Sequence, residues 1–360
     1  MSPRRRVAVI VAAAGCAATV LVSVLALLAP DLDPHIGAWA GPPGVLLPRT
    51  GIAVWNAIVG AVGLALALLA LSRPEVFPRL RAVAAGVAAL LAVGIVGGTV
   101  AMAGYVLAMA LPVAVIAALV LLARARPVVG IALLIVVGAI GATVAVRFNA
   151  GSVVTSVVAA TFARLPQLVG AAVAIAAIGG WIVALVLPGA DGHPPALGRW
   201  ALAHRRLITV AAALCAVPYA VARLSWLTPW PLLGPDAETL DAWPEARLLG
   251  LMLGAVMITG GILTIGLISR WGRRFPAWLP GLGGRDVPTL LAVIPGATAA
   301  TLMTVGGIDM VVELLSGGTG ALDPVVGILV LPFWLWGPLL GLATWGYALA
   351  RAEERQDAVR

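Results

Sequence analysis

The chain has no lysine, two cysteines, three histidines and only 15 acidic residues among its 360 positions. Each shortage excludes something. With 11% charged residues against 62% hydrophobic, and a mean hydropathy of +1.08, there is too little polar surface to coat a soluble domain of this length. Cys16 and Cys215 both fall in apolar runs and form no CxxC spacing, which indicates neither a disulfide framework nor a zinc site. His35, His193 and His204 are scattered through loops and make no metal-ligand pattern. No HExxH, P-loop or GxSxG occurs, so an enzyme is disfavoured and no cofactor is indicated.

What the chain has instead is long apolar runs. A helix needs about 20 residues to cross the hydrocarbon core, and runs of that size lie at 7–29, 51–71, 128–146, 167–187, 207–227, 248–269, 289–309 and 324–350. The run 82–123 is about 63 Å long as helix, enough for two crossings, with turns available at Gly97-Gly98 or Gly104-Tyr105. The reading is an all-α, polytopic bundle of ten spans forming one integral-membrane domain over 1–360, with possible halves 1–146 and 167–350. The basic start followed by residues 7–29 reads as an uncleaved first helix.

Arginine placement orients it. With the N-terminus in the cytoplasm and every span alternating, only Arg49, Arg147, Arg164 and Arg247 fall outside. Arg223 lies within a span, and the other 18 of the 23 basic residues fall inside. That is a strong positive-inside bias. It predicts a multi-pass protein of the cell membrane with N- and C-termini both cytoplasmic, and explains the net charge of +8 without nucleic acid. It also requires that 148–163 not cross, since Arg199, Arg205 and Arg206 would otherwise be inverted; the segment is expected to be interfacial or re-entrant. Trp39, Trp55, Trp226, Trp230 and Trp243 then mark the outer interface, and Trp200, Trp271 and Trp278 the inner one.

Few polar groups lie within the spans. Arg223, in "PYAVARLSW", sits about 24 Å along its helix, and Asp309 and Glu313 about 30 and 36 Å along theirs. Asp309 and Glu313 share a face by i, i+4 spacing. The shared depth suggests that Arg223 turns inward to pair with one of them; snorkelling to the headgroups is the alternative. Asn56 and Gln167 also fall near outer ends, which gives a candidate substrate- or ion-binding set of Arg223, Asp309, Glu313, Asn56 and Gln167 around an outward-facing vestibule. The acidic loop 228–247 is placed to cover it, or simply keeps a short outer loop soluble. Asp31 and Asp33, just after the first span, form an alternative enzyme site in which paired carboxylates supply a general base. Pro112, Pro218, Pro295, Pro332 and Pro338 mark positions where spans are expected to bend or break.

The inner loop "RWGRRFPAWLPGLGGRDVP" (270–288) carries Arg270, Arg273, Arg274 and Arg285, which are expected to contact anionic lipid at the cytoplasmic face. Its proline and glycine content argues against a continuous helix. Together with "PYAVARLSW" it resembles uncharacterised polytopic membrane proteins of actinobacteria over the C-terminal third to half of the chain. The resemblance brings no activity or catalytic residue with it.

Three function classes fit. A transporter or permease-like protein leads, a non-catalytic membrane scaffold or partner subunit is the alternative, and a membrane enzyme acting on a lipid-linked substrate through Asp31 and Asp33 follows. A large polar cavity between spans would favour the first. A packed bundle sealed by glycine and alanine would favour the second. An outward cleft holding the carboxylates beside basic groups would favour the third.

Overall fold

The computed structural model describes residues 1–35, 47–95, 98–187, 194–279, 281–315 and 324–357; Trp39 and His193 lie outside them. The chain is 83% helical. Among the described residues no strand forms, and Arg274 and Asp286 make an isolated antiparallel bridge. Ten segments of the described residues are long and apolar enough to cross a bilayer.

Helix α1 (Pro3–Leu28) begins where the Ser2 hydroxyl accepts the Arg5 N–H at 3.3 Å, an N-cap bond. Helix α2 (Arg49–Ser72) follows. The double-length run divides into α3 (Phe77–Val93) and α4 (Thr99–Ala125). The backbone turns near Gly98, whose φ of 77° is one that glycine adopts without strain. Gly104 and Tyr105, the other predicted turn, are helical residues of α4.

Helix α5 (Pro127–Arg147) leads into the segment expected not to cross. That segment is α6 (Ala150–Ala163), 14 residues long, so about 21 Å. Both of its ends meet the same end of the bundle. Asn149 at its start donates to Glu245 at 3.0 Å, and Thr161 near its finish contacts the Met102 sulfur. Glu245 and Met102 belong to the first turns of two other spans, so α6 runs across an end of the bundle rather than through it.

Helix α7 (Leu165–Val186) is the sixth span. After α8 (Ala196–Ala203), the seventh is broken into α9 (Arg205–Leu214) and α10 (Val217–Leu224). Pro218 sits in the first turn of α10, where its missing N–H costs least. The short α11 (Ala237–Ala242) precedes α12 (Pro244–Gly266) and α13 (Thr289–Leu315). The tenth span is α14 (Pro324–Val330) and α15 (Phe333–Asp357), separated at Pro332. The remaining prolines, Pro112, Pro295 and Pro338, lie inside continuous helices.

Two apolar cores organise the spans. The first gathers Val9, Ala12 and Cys16 of α1, Leu66 of α2, Val87 and Leu91 of α3, and Ala177, Ile178 and Trp181 of α7. The second gathers residues of α8, α9, α10, α12, α13 and α15 around Trp336 and Tyr347. Helix α7 packs with α1 to α3 in the first core. Its reason is steric. Ala177 and Gly180 are small enough for α7 to meet Gly15 and Ala12 of α1 backbone to backbone, the close approach that membrane helices use in place of a hydrophobic driving force. Helix α4 packs on α5 and α12, and α6 touches all three, with Val153 and Val157 against Leu248.

Candidate functional site

The end of the first core away from Arg5 contains a small pocket. Thr19, Ser23 and Ala26 of α1 line it from successive turns, with Asn56 of α2, Gly94 and Ile95 beyond α3, and Gly170 and Ala174 of α7. Its volume is about 20 Å³, room for roughly one water. Asn56 is buried and donates to the Gly94 carbonyl at 3.0 Å, which closes the end of α3. Gln167 is half-buried one turn before Gly170.

Pro34 and His35 reach this pocket from the start of the segment after α1, with Asp33 beside them. The Asp33 carboxylate accepts the His35 backbone N–H at 2.9 Å and stands 3.0 Å from His35 Nδ1. Both side chains are largely buried, at 9% and 12% exposed. The other ring nitrogen, Nε2, is buried without a hydrogen-bond partner among the described residues. Asp31 is exposed in a 3-10 turn, and Asp33 is joined to a histidine rather than to Asp31.

Arg223 lies in the other core. Its guanidinium carbon is 4.1 Å from the Trp226 ring centroid and 4.6 Å from that of Tyr219, a double cation–π arrangement. Among the described residues no ion pair joins it to Asp309. The physical reason is rotation about the helix axis. The Arg223 stem rests over Gly254 of α12 and the Trp226 ring over Gly250, so α10 presents this face to α12. Trp226, expected at the outer interface, is buried; its indole donates to the Leu232 carbonyl at 3.0 Å, and Ser225 Oγ accepts the Leu232 N–H at 2.7 Å. "PYAVARLSW" thereby anchors the following loop. Asp309 is buried on α13; the side chain of Glu313 lies outside the described residues. Asn56 thus lines the pocket beside α1, and Arg223 packs on α12.

At the opposite end, arginines secure helix termini. Arg5 donates to the carbonyls of Ala184 at 3.0 Å and Leu187 at 2.6 Å, and Arg81 to Leu185 at 2.7 Å. These are last-turn carbonyls of α7 and the residue after it, which have no partner within the helix. The loop after α12 is tied to α15. Tyr347 donates to the Gly272 carbonyl at 2.8 Å, and Glu354 holds Arg273 at 2.9 Å and Arg351 at 2.8 Å. Of the four arginines expected at lipid, Arg270, Arg274 and Arg285 are exposed, whereas Arg273 is half-buried and ion-paired within the protein.

No protein-family profile, curated protein or solved structure matches the chain. What can be said of its function rests on this geometry.

Proposed function

We propose that this polytopic membrane protein is a non-catalytic scaffold or partner subunit of the cell membrane, with both termini and the arginine-rich end in the cytoplasm. The observation that supports it is the sealing of both cores at mid-depth. A methyl group at Gly15 or Gly180 would strike the backbone of the facing helix, and one at Gly307 or Gly337 would do the same between α13 and α15. The outer pocket ends above this seal, where Cys16, Gly63 and Trp181 pack together. On this reading the exposed Arg270, Arg274 and Arg285 hold the inner face to anionic lipid.

The Asp33–His35 pair favours a second reading, a permease-like protein whose outer pocket accepts a proton. The two are separated by flux. Purified protein in liposomes with a trapped pH dye should pass no protons under an imposed gradient if the scaffold reading holds. Proton flux that His35→Gln abolishes would overturn it in favour of the permease.

A further inference from the structure

The end of the bundle that carries Arg5 and the C-terminal turns of α15 also holds a cleft of about 270 Å³, lined by Arg205, Arg206, Ile268, Ser269, Arg270 and Arg273. Four of its six lining residues are cations and none is an acid. The fold brings them together from two distant stretches. Arg205 and Arg206 open α9, immediately after the break that follows α8. Arg270 and Arg273 come from the turn that ends α12, which is tight because Gly272 packs on the Gly266 carbonyl and the Trp271 ring covers Gly266.

Neutralisation from within the protein is incomplete. Glu354 is shared between Arg273 and Arg351, and Arg273 Nε is buried with no hydrogen-bond partner among the described residues. Arg205, Arg206 and Arg270 make no ion pair among the described residues. Guanidinium groups gathered around a cavity repel one another unless an anion joins them. Their planar forks match phosphate oxygens, each able to give two parallel N–H bonds. A single carboxylate would leave most of this charge uncompensated. The volume exceeds that of one phosphate group and leaves space for a second phosphate or an ester substituent beside Ile268.

We infer that this cleft is a binding site for a multiply charged phosphate group, carried either by a soluble diphosphate or by an acidic phospholipid headgroup. The site differs from diffuse attraction of the inner loop to lipid: Arg205 and Arg206 are part of it, and Arg274 and Arg285 are not. It does not depend on the scaffold reading, since binding can be measured on purified protein whichever way the protein faces.

The test uses the full chain. One arm titrates inorganic pyrophosphate calorimetrically against protein in an uncharged detergent. The other measures binding of phosphatidic acid in otherwise neutral phosphatidylcholine nanodiscs. The variants are Arg205→Gln/Arg206→Gln and Arg270→Gln in the cleft, with Arg274→Gln/Arg285→Gln as a control of equal charge at the same end. Affinity for pyrophosphate should fall about tenfold or more for each cleft arginine removed and stay unchanged in the control; in the lipid arm the control should weaken less than the cleft variants. Binding in the pyrophosphate arm alone assigns a soluble ligand, and binding in the lipid arm alone a headgroup. Equal weakening in cleft and control variants would overturn the site, as would the absence of binding in both arms. If the double cleft variant fails to fold, the exposed Arg270→Gln decides against the single control Arg274→Gln.

Discussion

Two neighbouring glycines in α7 should respond oppositely to the same substitution. Gly179 has nothing within 4 Å of where a Cβ would stand, whereas a Cβ on Gly180 would strike the backbone of Ala12 and the Ala8 carbonyl of α1. At Gly179 alanine brings only its helix propensity, worth up to about 1 kcal/mol over glycine. At Gly180 that gain is opposed by overpacking of about 1–3 kcal/mol. Opening the α1–α7 contact adds to the loss, because a gap below 1 Å forfeits a quarter to a half of each dispersion well. The contacts at stake include the fully buried Val9, Ala12, Ala177 and Trp181. Gly180→Ala should therefore destabilise by about 2 kcal/mol, and Gly179→Ala should be neutral or stabilising by up to about 1 kcal/mol. Gly15→Ala should behave like Gly180→Ala, and the two together should cost less than their sum because they open one interface. Reversible unfolding in mixed micelles, followed by circular dichroism, measures all four variants. Equal effects at positions 179 and 180 would refute the backbone-close packing of α1 on α7.

Replacing Arg223 by alanine should cost about 1–2 kcal/mol through loss of its aromatic contacts. In a double-mutant cycle the effects of Arg223→Ala and Asp309→Ala should add, and a coupling above about 0.5 kcal/mol would restore the ion pair. Reporter fusions at Arg147 and Arg164 should both read extracytoplasmic; opposite locations would mean that α6 crosses. The carboxyl of Asp236, which caps α11, is held below the usual carboxylate range by the backbone N–H of Thr239 and then by its hydroxyl. Its stabilising effect is complete above the unfolded value of about 3.9 and is lost as pH falls through the lower folded value. A carboxyl carbon titration by NMR that places Asp236 at or above the ordinary value would contradict this.

The spans were readable because apolar run length is a one-dimensional property, and hydrocarbon thickness fixes what a run can do. The split of 82–123 was readable only as a choice of glycines, since Gly98 and Gly104 look alike until one adopts a positive φ. Sites were harder to read because depth along a helix does not give its rotation. Arg223 and Asp309 share a depth, but Gly250 and Gly254 draw the Arg223 face onto α12. His35 carries a local signal: Asp33-Pro34-His35 spells an Asx turn, in which a carboxylate takes the N–H two residues on. Arg205 and Arg273 carried none, because they come from separate helices and only the fold brings them to one cleft.

Orientation is settled most directly by cysteine accessibility, for which Cys16 and Cys215 give little background because both are buried. Glu238 and Asp286 are exposed, on the short helix α11 and on the loop before α13. In intact cells an impermeant maleimide should label Glu238→Cys and leave Asp286→Cys unreacted until the membrane is opened. Labelling of Asp286→Cys in intact cells, with Glu238→Cys protected, would place the arginine-rich end outside and contradict the cytoplasmic position of both termini.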